Sequence, residues 1–111
     1  MAYSEELAER VRTSVTKVEG VTERKMFGGL AFMLDGNMFC GVVKDELMVR
    51  VVPERYEHAL ALPRARPMDF TGRPMRGMVF AGPPPDGTDA WLHGWLELAL
   101  GFARSLPAKT R

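Results

Sequence analysis

The chain has few of the residue types on which covalent or metal-centred chemistry depends. Its 111 residues include one cysteine, Cys40, and two histidines, His58 and His93. A single cysteine excludes an intrachain disulfide, and these three residues lack the close spacing of a zinc site. Cys40 would act as a nucleophile only beside one of the histidines, and its mid-strand setting instead predicts a buried, inert thiol. We therefore predict no catalytic residues, no metal and no cofactor.

The chain also lacks an excess of one charge and any long apolar run. Fifteen Lys and Arg face fourteen Asp and Glu, for a net charge of +1, so no global basic footprint for nucleic acid is present. The loop over residues 64–76 holds four arginines and is the best local candidate for such a contact, but we do not expect one. No apolar run approaches the roughly 18 residues of a membrane span, and the N-terminus MAYSEELAERVR is not a secretion signal. We expect a cytoplasmic protein.

Three helices are predicted. The first runs from about Ser4 to Val18, because Ser4 is a good N-cap, acids follow it, and Gly20 suits a C-terminal cap. The second begins at Pro53 and ends near Leu62. The third begins at Thr88 or Asp89 and stops at Pro107. At 100° per residue the apolar side chains of this helix fall on one arc. Its two tryptophans are therefore predicted to lie in the core and not to form a stacking pair for a ligand. The arc holds Trp91, Leu92, Trp95, Leu96, Leu98, Ala99, Phe102, Ala103 and Leu106.

Strands are predicted over Met26–Leu34, Met38–Val43, Leu47–Val52 and Met75–Ala81, with a brief one at Met68–Phe70. Tight polar turns join the first three, so those strands are antiparallel. The order α-β-β-β-α-β-β-α predicts a two-layer α+β domain with the helices on one face of an antiparallel sheet. We assign residues 1–106 to this domain and 107–111 to a short basic tail.

Both faces of the predicted strands are apolar, although an antiparallel sheet with one wet face alternates apolar with polar side chains. Helices cover one face, so the other exposes either Phe27, Met33 and Phe39 or the opposite set. An exposed apolar patch of this kind usually marks an interface, which predicts a homodimer. The alternative is that sheet twist and the loop over residues 63–74 cover this face within the chain.

A second hypothesis places a pocket for a small ligand or anion, binding or enzymatic, near Gly28, Gly29, Arg50 and Arg76. The paired glycines do not continue into a phosphate-binding motif and are more typical of a bulge or a close backbone approach. Candidate interaction residues from both hypotheses are Lys25, Phe27, Gly28, Gly29, Met33, Phe39, Arg50 and Arg76.

Five short segments carry a family resemblance in order: Lys25–Gly29 (KMFGG), Asn37–Phe39 (NMF), Asp45–Leu47 (DEL), Arg50–Val51 (RV) and Met75–Gly77 (MRG). With these segments the chain resembles the N-terminal domain of the TfoX/Sxy family of bacterial competence regulators. The resemblance implies a fold like that of type III secretion chaperones and a role in transcription regulation of DNA uptake. It implies no catalytic residues. We therefore expect a small protein-interaction and regulatory module, a standalone version of this domain without the C-terminal domain of its longer relatives.

Overall fold

The computed structural model describes residues 3–26, 28–67, 77–84 and 89–106, with the backbone alone at Met26. Within these residues the elements follow in the order α1 (Glu5–Ser14), β1 (Val21–Met26), β2 (Gly29–Leu34), β3 (Asn37–Val43), β4 (Glu46–Arg50), a 3₁₀ turn (Pro53–Arg55), α2 (Tyr56–Leu60), β5 (Ala65–Pro67), β6 (Met78–Ala81) and α3 (Asp89–Arg104).

The six strands form one open antiparallel sheet in the order β1-β2-β3-β4-β6-β5. This confirms the predicted α+β class and the order of helices and strands. The structure adds one strand, β1, ahead of the three predicted in a row. Its sequence VTERKM is charged through the middle, so no apolar period marks it.

The predicted long first strand is interrupted at its start, so that its first part belongs to β1 and its remainder to β2. Strand β1 pairs along its whole length with β2, from Val21 opposite Leu34 to Met26 opposite Gly29. Gly28 lies in the turn with φ +71°, a left-handed conformation that glycine adopts without steric cost. The glycine pair therefore serves a chain reversal, with Gly28 in the turn and Gly29 as the first residue of β2.

All three helices share one hydrophobic core with one side of the sheet. Buried residues of this core come from α1 (Leu7, Ala8, Val11), α2 (Tyr56, Ala59) and α3 (Leu92, Trp95, Leu96, Ala99, Ala103). Alternate residues of the strands meet them, including Leu30 and Phe32 on β2 and Leu47 and Val49 on β4. The amphipathic arc predicted for the third helix is thus the buried side of α3.

A bulge in β3 changes which of its side chains face the helices. Phe32 pairs with Cys40 but the next residue, Met33, pairs with Met38, so Phe39 is the additional residue. Phe39 is fully buried in the helix-side core. The prediction that Phe39 shares an exposed face with Met33 is therefore wrong, because strict alternation does not hold across a bulge.

The side of the sheet away from the helix core has its own small apolar cluster. Met48, Met78 and Phe80 form it and are each at most 6% exposed, and the Arg66 guanidinium lies 4.6 Å from the centre of the Phe80 ring. Among the described residues, Leu106 is the only large apolar side chain that is substantially exposed, at 38%. The large exposed apolar face predicted for this side is therefore absent from the described part of the chain.

Two helix boundaries differ from prediction. Helix α1 ends at Ser14 rather than near Val18; the Ser14 and Thr16 hydroxyls donate hydrogen bonds to the carbonyls of Arg10 and Arg12, as side chains that compete with helical bonding do. Helix α2 with its preceding 3₁₀ turn ends at Leu60, rather than near Leu62.

The predicted strand at residues 68–70 and the tail at 107–111 lie outside the described residues. No helix of the described chain is both long and apolar enough to cross a bilayer.

Candidate functional site

Helix α3 presents one flank to a cleft that it forms with α2. Its core side is set by buried residues spaced three and four apart, such as Leu92, Trp95 and Ala99. Trp91 and Leu98 lie at the edge of that arc and are half-buried. The same periodicity that buries α3 therefore leaves two large apolar side chains at its margin.

The α2–α3 cleft has a volume of about 640 Å³, within the range of small-molecule sites. Its walls are mainly apolar, with both tryptophans of the chain among them. The lining residues are His58, Leu62, Pro63, Arg64, Pro84, Ala90, Trp91, Gly94, Trp95, Glu97 and Leu98.

Arg64 lies at the rim of this cleft in a strained backbone conformation. Its φ is +66°, in the left-handed region that side chains other than glycine, asparagine and aspartate rarely adopt. The Arg64 carbonyl accepts a hydrogen bond of 3.0 Å from the Gly82 backbone N–H. This bond ties the chain after α2 to the end of β6 and fixes where Arg64 sits.

The Trp91 indole is incompletely satisfied. Its Nε1 is buried and has no hydrogen-bond acceptor, the one such side-chain atom in the described chain. Leaving a buried donor unpaired costs about 1–3 kcal/mol, so orphaned donors are rare in native structures. The donor belongs to a residue of the cleft wall.

Charges of both signs border the α2–α3 cleft. Arg64 and Glu97 are exposed, and within the described residues neither forms an ion pair. Glu97 also lines a second, smaller cleft of about 390 Å³, whose other charged residue is Arg55. The acid thus lies where the two clefts meet, whereas Arg64 borders the α2–α3 cleft alone.

Arg50 lies next to the second cleft. Its guanidinium is 4.2 Å from the centre of the Phe102 ring, and Phe102 lines that cleft. Partial burial lowers the pKa of the Arg50 guanidinium. The contact is a cation–π interaction at the end of β4.

The outer edge of β1 is the second feature of interest, because β1 is the end strand of the sheet. Thr22, Glu23, Arg24 and Lys25 along it are all exposed. The Arg12 guanidinium of α1 donates two hydrogen bonds to the Glu23 carboxylate, which lowers the pKa of that carboxyl group. Helix α1 is thereby tied to the edge strand.

The described residues of the predicted pocket, Gly28, Gly29 and Arg50, do not lie together. Gly29 is level with Val43 and Glu46, whereas Arg50 is four residues further along β4, about 13 Å away along the strand. Among the described residues, Gly29 and Arg50 are therefore too far apart to line one small pocket. Arg76, like Phe27, lies outside the described residues.

The other interaction candidates occupy different environments. Lys25 is exposed on the β1 edge, Met33 is half-buried, and Phe39 is in the core. Gly28 is exposed in its turn, whereas Gly29 is buried beside β3. Of these residues, only Lys25 presents a long side chain to solvent.

Cys40 is fully buried in the helix-side core, and burial raises the pKa of its thiol. His58 and His93 are both exposed on helices. The described residues contain no cluster of three or more His, Cys, Asp and Glu side chains that could hold a metal ion.

Sequence reasoning missed most of the α2–α3 cleft. It placed Trp91 and Trp95 in the core, which holds fully for Trp95 (4% exposed) and in part for Trp91. Arg64 and Pro84 belong to irregular segments that come together only through the Arg64–Gly82 contact. No local pattern signals that contact, although Pro63 does mark the end of the preceding helix.

Comparison with protein families gives a match. The model of the TfoX N-terminal domain matches residues 13–103. The chain belongs to this family. The membership confirms the resemblance carried by the KMFGG, NMF, DEL, RV and MRG segments and makes the chain a competence-regulator-like module. Neither curated proteins nor solved structures give a match.

Proposed function

We propose that this TfoX N-terminal domain is a cytoplasmic regulatory module that acts by binding other proteins, with a partner in transcription regulation, and that it catalyses no reaction. Membership of the TfoX N-terminal domain family carries the proposal. The working form is a homodimer, in which two copies pair through β1.

The β1 edge suits such pairing because its outward backbone groups meet no other strand of the described chain. Exposed edges of this length bind a further strand by backbone hydrogen bonds. The opposite edge, β5, has three residues in the described chain, and the last of them is a proline, which lacks the N–H needed for pairing. The two edges thus differ in their capacity to accept a partner strand.

The charges on β1 select the partner. Glu23 and Lys25 lie on the helix side of the sheet, opposite Phe32 and Leu30 of β2. If two copies pair antiparallel about Arg24, Glu23 of each copy lies directly opposite Lys25 of the other. Opposite charges in directly paired positions stabilise a sheet, whereas an apolar or uniformly charged strand gains nothing from this edge. A dimer of this kind therefore contains two Glu23–Lys25 pairs between the copies.

A charge exchange tests this dimer. In Lys25→Glu, two attractive pairs become repulsive, and we expect dimerisation to weaken about tenfold or more, since each exposed ion pair contributes up to about 1 kcal/mol. The double variant Glu23→Lys/Lys25→Glu restores both pairs between the copies and should recover part of the affinity. Because Glu23→Lys also removes the partner of Arg12, thermal unfolding first verifies that the double variant folds. The matched control is Lys17→Glu, an exposed lysine outside the strand.

The measurement is sedimentation equilibrium over a wide concentration range. A wild-type protein that is monomeric throughout contradicts the homodimer. A dimer that Lys25→Glu and Lys17→Glu weaken equally contradicts β1 as its interface. Capture of protein partners from a lysate, compared between wild type and Lys25→Glu, then tests whether the same edge serves the regulatory role.

A further inference from the structure

We propose that the α2–α3 cleft is a binding site for a small aromatic organic anion. Two features of the cleft carry this inference: its apolar walls and Arg64, which has no ion-pair partner among the described residues. Neither the family membership nor the proposed dimer enters the argument, and the β1 edge lies elsewhere on the chain.

The walls define the body of the ligand. Trp91, Trp95, Leu62 and Leu98 are the large apolar side chains among the lining residues, and Pro63 and Pro84 add rigid apolar surface. Indole faces favour stacked or edge-on contact with other rings. A volume of about 640 Å³ accommodates a ligand of one to three fused or linked rings.

The charges orient the ligand. Arg64 is held at the rim by its Gly82 hydrogen bond and has no ion-pair partner in the described chain, while Glu97 lines both this cleft and the neighbouring one. An anionic group therefore points to Arg64 and away from Glu97. The strained backbone of Arg64 fits a residue whose position matters for binding.

The test uses 8-anilinonaphthalene-1-sulfonate as the anionic probe and N-phenyl-1-naphthylamine as its neutral counterpart. Energy transfer from tryptophan to either probe reports binding to the protein, and the variants of cleft residues then locate the bound probe. We expect saturable one-to-one binding of the anionic probe to the wild-type protein.

Variants at the two charges give effects of opposite sign. Arg64→Met weakens the anionic probe about three- to fivefold, the contribution of one exposed charge contact, and leaves the neutral probe unchanged. Arg64→Lys retains most of the affinity, and Glu97→Gln increases it. The control for Arg64→Met is Arg104→Met, at an exposed arginine of α3 that lines neither cleft.

Three outcomes overturn the inference. The first is no saturable binding of the anionic probe. The second is an equal loss in Arg64→Met and Arg104→Met, which would reflect net charge alone. The third is an equal loss of both probes in Arg64→Met, which would mean that the substitution had changed the cleft and that the charge had no part in binding. Thermal unfolding of each variant identifies any that fail to fold. If Arg64→Met is one of them, the affinities of the separate Arg64→Lys and Glu97→Gln variants for the anionic probe decide whether charge contributes to binding.

Discussion

At the scale of single residues, the glycines of this chain have different roles that their spacing in the sequence does not reveal. A Cβ added at Gly29 would lie 2.3 Å from the Val42 carbonyl oxygen and 2.9 Å from Val43 Cγ2. A Cβ added at Gly94, on the exposed side of α3, would meet nothing within 4 Å. Gly29 is therefore required by close approach of β2 and β3, and Gly94 is not required by any contact in the described chain.

These environments predict opposite effects of the same substitution. Gly29→Ala should lower the free energy of unfolding by about 1–3 kcal/mol, the usual cost of overpacking, because backbone cannot move aside as a side chain can. Gly94→Ala should raise it by up to about 1 kcal/mol, the difference in helix propensity. Urea denaturation at one fixed protein concentration measures both, and a Gly29→Ala protein as stable as wild type would refute the close approach.

The buried cysteine gives a second prediction at this scale. Because burial raises the pKa of the Cys40 thiol, the folded protein should react very slowly with a disulfide reagent near pH 8, and the rate should rise steeply in urea. A Cys40→Ala/Lys17→Cys protein, with its thiol at an exposed position, is the control and should react at once. Fast labelling of folded wild-type protein would contradict the position of Cys40 in the core.

At the scale of elements, the predictable parts of the fold are those with an apolar period. Strands β2, β3 and β4 follow from apolar runs between turn residues, and α3 follows from its amphipathic arc. Strand β1 escaped prediction because edge position leaves its charged side chains in solvent, where the sheet imposes no apolar pattern. The bulge at Phe39 escaped prediction for another reason, since it depends on the pairing with β2.

The start of α1 provides a prediction for an element. The Ser4 hydroxyl accepts a hydrogen bond of 3.1 Å from the Leu7 backbone N–H, as an N-cap does. Ser4→Ala should lower the free energy of unfolding by about 0.5–2 kcal/mol, whereas Ser4→Asp, which retains an acceptor, should cost little. If chemical denaturation shows equal losses in the two variants, the cap contributes nothing.

At the scale of the whole molecule, the fold class and family could be predicted from the sequence, but the surfaces available for binding could not. An apolar pattern on both sides of a sheet does not say what covers each side; here Met48, Met78 and Phe80 are buried without the helices. Likewise, the α2–α3 cleft depends on how residues 58–64, 84 and 90–98 come together in space. Binding surfaces are properties of tertiary packing, which local periodicity does not encode.

We propose that this module works as a dimer joined through β1, and amide hydrogen exchange tests that dimer directly. Exchange is compared between dilute and concentrated protein, strand by strand. We predict that amides of Val21–Met26 exchange more slowly in concentrated protein, while those of the β5 edge do not change. Exchange in β1 that is independent of concentration, or protection that appears on another surface, would contradict the claim.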